Sequence, residues 1–157
     1  MPKEMKVQPI ENGTVIDHIA CGMALKVLKI MGLSDTKPKT TVSVLIRAPS
    51  KKTKWKDVVK VEGKELKPRE VSQIALVAPH ATINIIRDFE VTKKFKVELP
   101  REVKGIVRCP NATCITNQRL PSEPVEPLFT IESEEPVRLR CAYCERILED
   151  PGQYFIE

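Results

Sequence analysis

Four of the five cysteines fall in two short pairs in the C-terminal third of the chain. Cys109 and Cys114 have four residues between them, and Cys141 and Cys144 have two. Each spacing lets one turn present two sulfurs, and four thiolates suit the tetrahedral coordination of Zn²⁺. Two disulfides or four unrelated thiols are the alternatives, and a reducing compartment argues against the disulfides. The pattern therefore predicts one structural zinc ion, whose closed shell leaves no position open for catalysis.

A second candidate for chemistry is the adjacent pair Asp17 and His18, in the stretch GTVIDHI at residues 13–19. Histidine is scarce here, since His80 is the only other one. Strand side chains alternate between the two faces of a sheet, so we expect these two side chains to point apart rather than form a dyad. Cys21, on the helix that follows, is expected to be a small core residue. An enzyme built on Asp17, His18 and Cys21 stays open as an alternative, and it predicts a thiol of lowered pKa.

Other polar residues fall on the strands that follow. Lys60 shares a strand face with Val58, Asn84 shares one with Ile86, and Lys94 lies at the end of the last strand. Cations would suit the phosphates of a nucleotide, and a carboxylate would suit its ribose hydroxyls. On composition alone, solvated charges on strands are the simpler explanation.

The elements that must position these residues follow from hydrophobic periodicity and turn residues. Residues 7–19, 40–48, 56–62, 82–87 and 89–97 are predicted to be extended, and residues 20–31 and 68–78 are predicted to be helical. The order strand, helix, strand, strand, helix, strand, with one further strand, is typical of a ferredoxin-like domain. The fold class is therefore α+β, an antiparallel sheet with two helices followed by a small all-β zinc-ribbon-like domain.

The character of the chain changes near Leu99, where we place the domain boundary. Residues 1–99 form the first predicted domain, and residues 100–157, with most of the prolines and no helical period, form the second. Short strands are predicted there at residues 105–108, 128–131, 137–140 and 153–156. A module of this size buries little apolar area, so metal binding must supply much of its folding free energy.

The composition limits the classes of partner. The net charge is +5, which favours an anionic partner or simply maintains solubility. Aromatic residues make up only 4% of the chain, which weighs against binding to single-stranded nucleic acid. The chain has no apolar run that could span a bilayer and no secretory signal, so a cytoplasmic location and no membrane partner are expected.

Four stretches in order, GTVIDHI (13–19), KDVVKVE (56–62), APHATIN (78–84) and CPNATC…CAYCE (109–145), resemble the regulatory chain of aspartate carbamoyltransferase. The resemblance covers nearly the whole chain and includes the cysteine spacing. It implies a non-catalytic subunit of pyrimidine biosynthesis, with an allosteric domain for CTP, ATP and UTP, taken alone or together with Mg²⁺. It also implies pairing of regulatory chains and docking of the zinc domain on catalytic trimers. A zinc-ribbon protein that binds nucleic acid is the alternative, whereas the resemblance implies no nucleic-acid partner.

The resemblance assigns roles to individual positions. It implies that Asp17 holds the ribose hydroxyls, that Lys60 reaches the ribose and the base, and that His18 and Lys94 approach the phosphates. The backbones of Ile10 and Phe89 would meet the base. The implied pocket wall is Val7, Pro9, Val58, Ile86 and Val91, with Asn84 at the phosphate end. The implied contacts with the catalytic chain are Asn111, Glu145 and Arg146.

This chain departs from the family pattern at several positions. Phe89 stands where relatives can have Tyr, Pro9 has no N–H to donate, and Thr113 replaces an Asn. Strict alternation in the last strand would turn Lys94 away from Val91, unless a bulge intervenes near Lys93.

Overall fold

The computed structural model describes residues 9–33, 39–118 and 124–156, which divide into two compact units between Val97 and Glu98. The first unit contains a five-stranded sheet and two helices. Their bounds are β1 Gly13–Ile19, α1 Ala24–Ile30, β2 Val42–Ser50, β3 Lys54–Glu62, α2 Pro68–Val77, β4 Thr82–Arg87 and β5 Glu90–Lys96. Within the described ranges, no helix has the length and apolar character that a membrane span requires.

The strands lie in the order β2-β3-β1-β4-β5, and every neighbouring pair is antiparallel. The first four strands therefore have the order of a ferredoxin-like sheet, and β5 extends it as a hairpin partner of β4. The predicted α+β fold class is confirmed.

One face of the sheet is buried beneath the helices. Val59 and Val61 of β3 and Ile16 of β1 are fully buried on this face, and Val27 of α1 and Ile74 of α2 are fully buried as well. Burying side chains of this size stabilises the fold by about 1.5–3 kcal/mol each. The alternate residues of β1, β3 and β4 are mostly half-buried and form the opposite, helix-free face.

The first helix begins four residues later than predicted, at Ala24 rather than Ala20. Residues 20–23 form a turn instead, in which Gly22 has a φ of 93°. The expectation that Cys21 is a core residue is therefore wrong, because this turn leaves it exposed. The second helix begins at Pro68 as predicted, because proline suits the first helical position and Glu70 accepts a hydrogen bond from the Lys67 backbone N–H.

The second unit contains a four-stranded sheet in the order β6-β7-β8-β9. These strands span β6 Glu102–Lys104, β7 Leu128–Glu134, β8 Val137–Cys141 and β9 Ile147–Leu148. Phe129, Val103 and Leu139 are fully buried at its centre.

Two strands predicted in this unit are wrong. Residues 105–108 and 153–156 pair with each other only briefly, through an isolated bridge between Val107 and Phe155 and two backbone hydrogen bonds, one on either side of it. Gly105 takes a φ of 68°, which interrupts the first segment, and a 3₁₀ turn over Pro151–Gln153 occupies the start of the second. β9, at Ile147–Leu148, was not predicted, because two residues carry no detectable period.

Candidate functional site

The four cysteines of the two pairs meet in the second unit, where their sulfur atoms all lie within 4.8 Å of one another. Cys109 and Cys114 lie in the loop after β6, Cys141 ends β8, and Cys144 lies in the turn that follows. We call this group the cysteine cluster. Three of its members are buried, and the fourth, Cys144, is half-buried.

The geometry of the cysteine cluster fits a tetrahedral zinc site. With a Zn–S bond of about 2.3 Å, neighbouring sulfurs of a tetrahedron lie roughly 3.8 Å apart. The Cys109–Cys144 and Cys114–Cys141 sulfur pairs are separated by 3.6 and 3.7 Å. Thiolates are the donors that Zn²⁺ accepts in structural sites, so these four residues would hold the ion and its charge would offset theirs.

The surroundings of the cysteine cluster shift the pKa values of its thiols in opposite directions. Burial is the main cause that raises the pKa of Cys109 to about 12, and burial also raises the pKa of Cys141. A hydrogen bond from the Arg146 backbone, followed by one from the Asn111 side chain, lowers the pKa of Cys144 to about 6. Metal binding must therefore displace protons from the buried thiols, as expected for zinc sites built from cysteine.

The loop between Cys109 and Cys114 is held by polar side chains of its own and of the 3₁₀ turn that follows it. Asn111 Oδ1 accepts hydrogen bonds from the backbone N–H and the hydroxyl of Thr113, at 3.1 and 2.9 Å. Asn117 Nδ2 donates to the carbonyl oxygens of Cys109 and Asn111, at 2.9 and 2.7 Å. Asn111 thus has a structural role in the zinc loop that the sequence analysis missed. Glu145 and Arg146, by contrast, are exposed.

The second group of candidate residues lies on the helix-free face of the first unit. The prediction that Asp17 and His18 point apart is wrong, because a bulge interrupts β1 between Ile16 and Ile19. His18 takes a φ of 56°, Ile19 returns to the core, and the two polar side chains lie together. His18 donates its backbone N–H to Asp17 Oδ1 at 2.6 Å, and its Nδ1 lies 3.9 Å from Asp17 Oδ2.

These two residues sit in a positively charged neighbourhood. Lys56 Nζ contacts Asp17 Oδ1 at 2.8 Å. Burial raises the pKa of Asp17, but the hydrogen bonds and charges of Lys56 and His18 outweigh it and bring the pKa below its ordinary value. The pKa of His18 also lies below its ordinary value, mainly because of burial; the charge of Asp17 raises it, and the charges of Lys56, Lys52 and Lys94 lower it. Of the described buried polar side-chain atoms, His18 Nδ1 is the one without a hydrogen-bond partner.

Lys60 and Val58 share the helix-free face, as predicted from alternation. They line a cavity of about 350 Å³ together with Lys56 and residues of the adjoining strand β2. Those β2 residues are Ser43, Leu45, Ala48 and Pro49. Alternation with Lys60 could have identified Lys56 from the sequence, whereas the β2 wall depends on strand pairing.

The far side of this face is formed by β4 and β5. Asn84 pairs with Val15 of β1 and with Lys94 of β5, and its Nδ2 donates to the Val15 carbonyl oxygen at 3.3 Å. Ile86 pairs with Val91, and β5 has an extra residue, Thr92, between Val91 and Lys93. This bulge lies one position before the one that the sequence analysis required, and it returns Lys94 to the face of Val91.

The residues expected near the base lie at the start of the described chain and at the β4–β5 turn. Ile10 is buried, Pro9 is exposed, and Val7 lies outside the described residues. Phe89, with a φ of 65°, donates its backbone N–H to the Glu11 carbonyl oxygen at 2.9 Å. Any contact between the Phe89 backbone and a base would therefore use its carbonyl oxygen.

Comparisons with known proteins identify the family of both parts of the chain. The family model for the aspartate carbamoyltransferase regulatory chain, allosteric domain, matches residues 5–98, and that for the metal binding domain of the same chain matches residues 101–151. The chain is 55% identical over 148 residues to the regulatory chain of Methanothermobacter thermautotrophicus, covering 94% of this chain and 92% of the relative.

Two further relatives have the same description. Identity is 49% over 151 residues with the protein of Thermococcus kodakarensis, which covers 96% of this chain and 95% of the relative. It is 51% over 147 residues with that of Pyrococcus furiosus, at 94% of each. The alternative of a zinc-ribbon protein for nucleic acid is not favoured. The chain belongs to the family of aspartate carbamoyltransferase regulatory chains, and it is a non-catalytic subunit with an allosteric domain and a metal-binding domain.

Proposed function

We propose that the helix-free face of the first unit is the effector site and that it binds the triphosphates CTP, ATP and UTP. The observation that carries this proposal is a group of cations on this face: Lys56 pairs with Asp17, the charges of Lys52 and Lys94 act on His18, and Lys56 and Lys60 line a cavity of about 350 Å³. Cations balance the charge of a polyphosphate, and ligand pockets of roughly 300–1,000 Å³ are typical of small molecules. In this arrangement Asp17 accepts the ribose hydroxyls, and Val58, Ile86 and Val91 supply apolar wall.

The metal of the second unit is proposed to be zinc, held by Cys109, Cys114, Cys141 and Cys144. The zinc-bearing loops then dock on the catalytic chain. Glu145 and Arg146 are exposed there, and so are the large apolar side chains of Tyr143 and Ile115, which are 49% and 45% exposed and each follow or precede a cysteine of the cluster. Exposed apolar groups rimmed by charges are typical of a protein interface.

Regulatory chains are proposed to pair through their first units in the cytoplasm, where cysteines stay reduced. Strand β2 is an edge of the described sheet and exposes half of the Ile46 side chain. An edge strand with an apolar residue can join the equivalent strand of a second copy. Sedimentation of the purified chain should show a dimer, and a monomer that still assembles with catalytic chains would contradict this pairing.

One assembly experiment tests the whole proposal. The chain is mixed with aspartate carbamoyltransferase catalytic trimers and zinc, and the activity of the mixture is followed while CTP or ATP is added. We expect a complex whose activity changes with nucleotide, because an effector shifts an equilibrium between states to which it binds unequally. A mercurial that blocks the thiols should release the trimers. Failure to form a complex, or a complex insensitive to both nucleotides, refutes the proposal.

The effector site has its own test in Lys60→Ala. Loss of a charged hydrogen-bond donor costs roughly 1.5–3 kcal/mol, so CTP affinity should fall by roughly ten- to a hundred-fold. Lys29→Ala is the matched control, because Lys29 is exposed on α1, which covers the opposite face of the sheet. Equal affinities in the two variants would show that CTP does not bind beside Lys60.

A further inference from the structure

Asp57 is a fully buried carboxylate that the effector site described above does not include. It lies in β3 between Lys56 and Val58, two residues that line the cavity, but its own side chain points to the helix-covered face. A buried carboxylate is costly unless hydrogen bonds satisfy it. Its partners are backbone groups from two other parts of the chain.

Three backbone N–H groups donate to Asp57. Gly22 and Ala24 donate to Oδ2 at 2.9 and 3.0 Å, and Arg47 donates to Oδ1 at 2.9 Å. Gly22 and Ala24 belong to the turn that enters α1, whose own N-cap residue, Met23, makes no side-chain cap. Asp57 therefore supplies from a neighbouring strand the acceptor that the start of this helix lacks.

The third donor belongs to a bulge in β2. Leu45 pairs with Val58 and Ala48 pairs with Lys56, so β2 advances three residues where β3 advances two. Arg47, inside this bulge, takes a φ of 61°. Ala48 and Pro49, which line the cavity, follow directly.

The strand on the other side of β3 has a matching bulge. Ile16 pairs with Val59 and Ile19 pairs with Asp57, so β1 also advances three residues where β3 advances two. The extra residue is in the segment of Asp17 and His18, and it is this bulge that brings the two side chains together. Both irregularities that shape the helix-free face thus lie beside Asp57, one in each neighbouring strand.

We propose that Asp57 is a positioning residue for the effector site, acting from the opposite face of the sheet by holding the β2 bulge and the turn after β1. This inference rests on the proposed function and deepens it. Asp57 does not touch the nucleotide. It holds the backbone that carries the β2 wall on one side, and on the other side the turn at Gly22 and Ala24, which follows the β1 bulge of His18.

Asp57→Asn is the direct test. The amide keeps the size of the carboxylate but replaces one acceptor oxygen with a donor, so at least one of the three N–H groups loses its partner. We expect CTP affinity to fall at least ten-fold and the imidazole NMR signals of His18 to move even without nucleotide. The chain has only two histidines, so these signals are assigned by comparison with His80→Gln.

The matched control is Thr14→Val. Thr14 is also fully buried on the helix-covered side of the sheet, and its hydroxyl donates to the Lys64 carbonyl oxygen at the other end of β1. This variant should lower stability but leave the His18 signals and CTP affinity unchanged. If Asp57→Asn and Thr14→Val change these two readouts equally, Asp57 is only a core residue and the inference is wrong.

If Asp57→Asn does not fold, amide hydrogen exchange on the unmodified chain gives the answer. Binding should slow exchange at Gly22, Ala24 and Arg47 together, and by a larger factor than at Gly63, whose N–H bonds to Asn12. If CTP binds but these three amides respond no more than Gly63, the inference is overturned. If CTP does not bind the unmodified chain at all, the proposed function has failed first.

Discussion

Acidification is expected to tighten triphosphate binding through His18. In the free chain, burial and then the charges of Lys56, Lys52 and Lys94 lower the pKa of His18, although Asp17 acts in the opposite direction. The imidazole is therefore mostly neutral at pH 7. A polyphosphate placed among these lysines adds negative charge, which favours the protonated imidazole, so binding takes up a proton.

The geometry sets the size of this effect. His18 Nδ1 now lies 3.9 Å from Asp17 Oδ2. A phosphate oxygen at the same distance would attract the protonated imidazole as one unit charge attracts another. At about 4 Å, a pair of unit charges attracts by about 1 kcal/mol in water and about 4 kcal/mol near a protein surface. Because 1.4 kcal/mol corresponds to ten-fold, even the weaker limit predicts about five-fold tighter binding to the protonated chain. Affinity should fall as pH rises between the pKa of His18 in the free chain and its higher pKa in the complex, and it should be level above the latter.

Calorimetry of CTP binding in buffers of different ionisation enthalpy measures the proton uptake directly. It is done at pH values on either side of 6.5, the ordinary pKa of histidine. Protonation of the phosphate itself acts in the opposite direction, so the difference between the unmodified chain and His18→Gln isolates the imidazole. His80→Gln should keep the uptake of the unmodified chain. Equal proton uptake by the unmodified chain and by His18→Gln would refute the reasoning.

Three further predictions concern the two folded units. Gly13→Ala should lower the free energy of unfolding of the first unit by roughly 2–6 kcal/mol, because φ is 146° and a Cβ would lie 2.0 Å from the Val61 carbonyl oxygen. Urea unfolding followed by the fluorescence of the single tryptophan, Trp55, measures this loss, and an unchanged midpoint would contradict it. Phe129→Ala should destabilise the metal-loaded second unit by roughly 3–5 kcal/mol, because the ring is fully buried, and a thermal melt of that variant tests this. A chelator should unfold the second unit but leave the Trp55 signal unchanged. Unfolding should make the thiols of the cysteine cluster reactive toward a thiol reagent. If they stay unreactive after metal removal, zinc is not needed for the fold.

Local sequence signals identified most of the architecture. Alternation in β3, with Val59 and Val61 against Val58 and Lys60, is a local property of the chain, and it predicts the two faces correctly because one of them is buried. The cysteine spacing predicts a cluster, and the structure confirms it. Each short pair brings two sulfurs together by itself, so the fold has only to bring the two pairs into contact. The strands predicted over residues 105–108 and 153–156 are wrong as extended strands, because their pairing stops at one bridge and two backbone hydrogen bonds, between the left-handed Gly105 on one side and the 3₁₀ turn at Pro151–Gln153 on the other.

The sequence by itself thus determined the fold class, the residue types of both candidate sites and the metal that the cysteines suit. Only the tertiary structure decided which face of the sheet each polar side chain occupies. Bulges in β1, β2 and β5 place Asp17 beside His18, shape the β2 wall and return Lys94 to the helix-free face. A bulge adds one residue to one strand of a pair and leaves that residue without its partner in the ladder, so its N–H group needs another acceptor. For β2, that acceptor is the Asp57 carboxylate of the neighbouring strand, a contact that no periodicity within β2 could reveal.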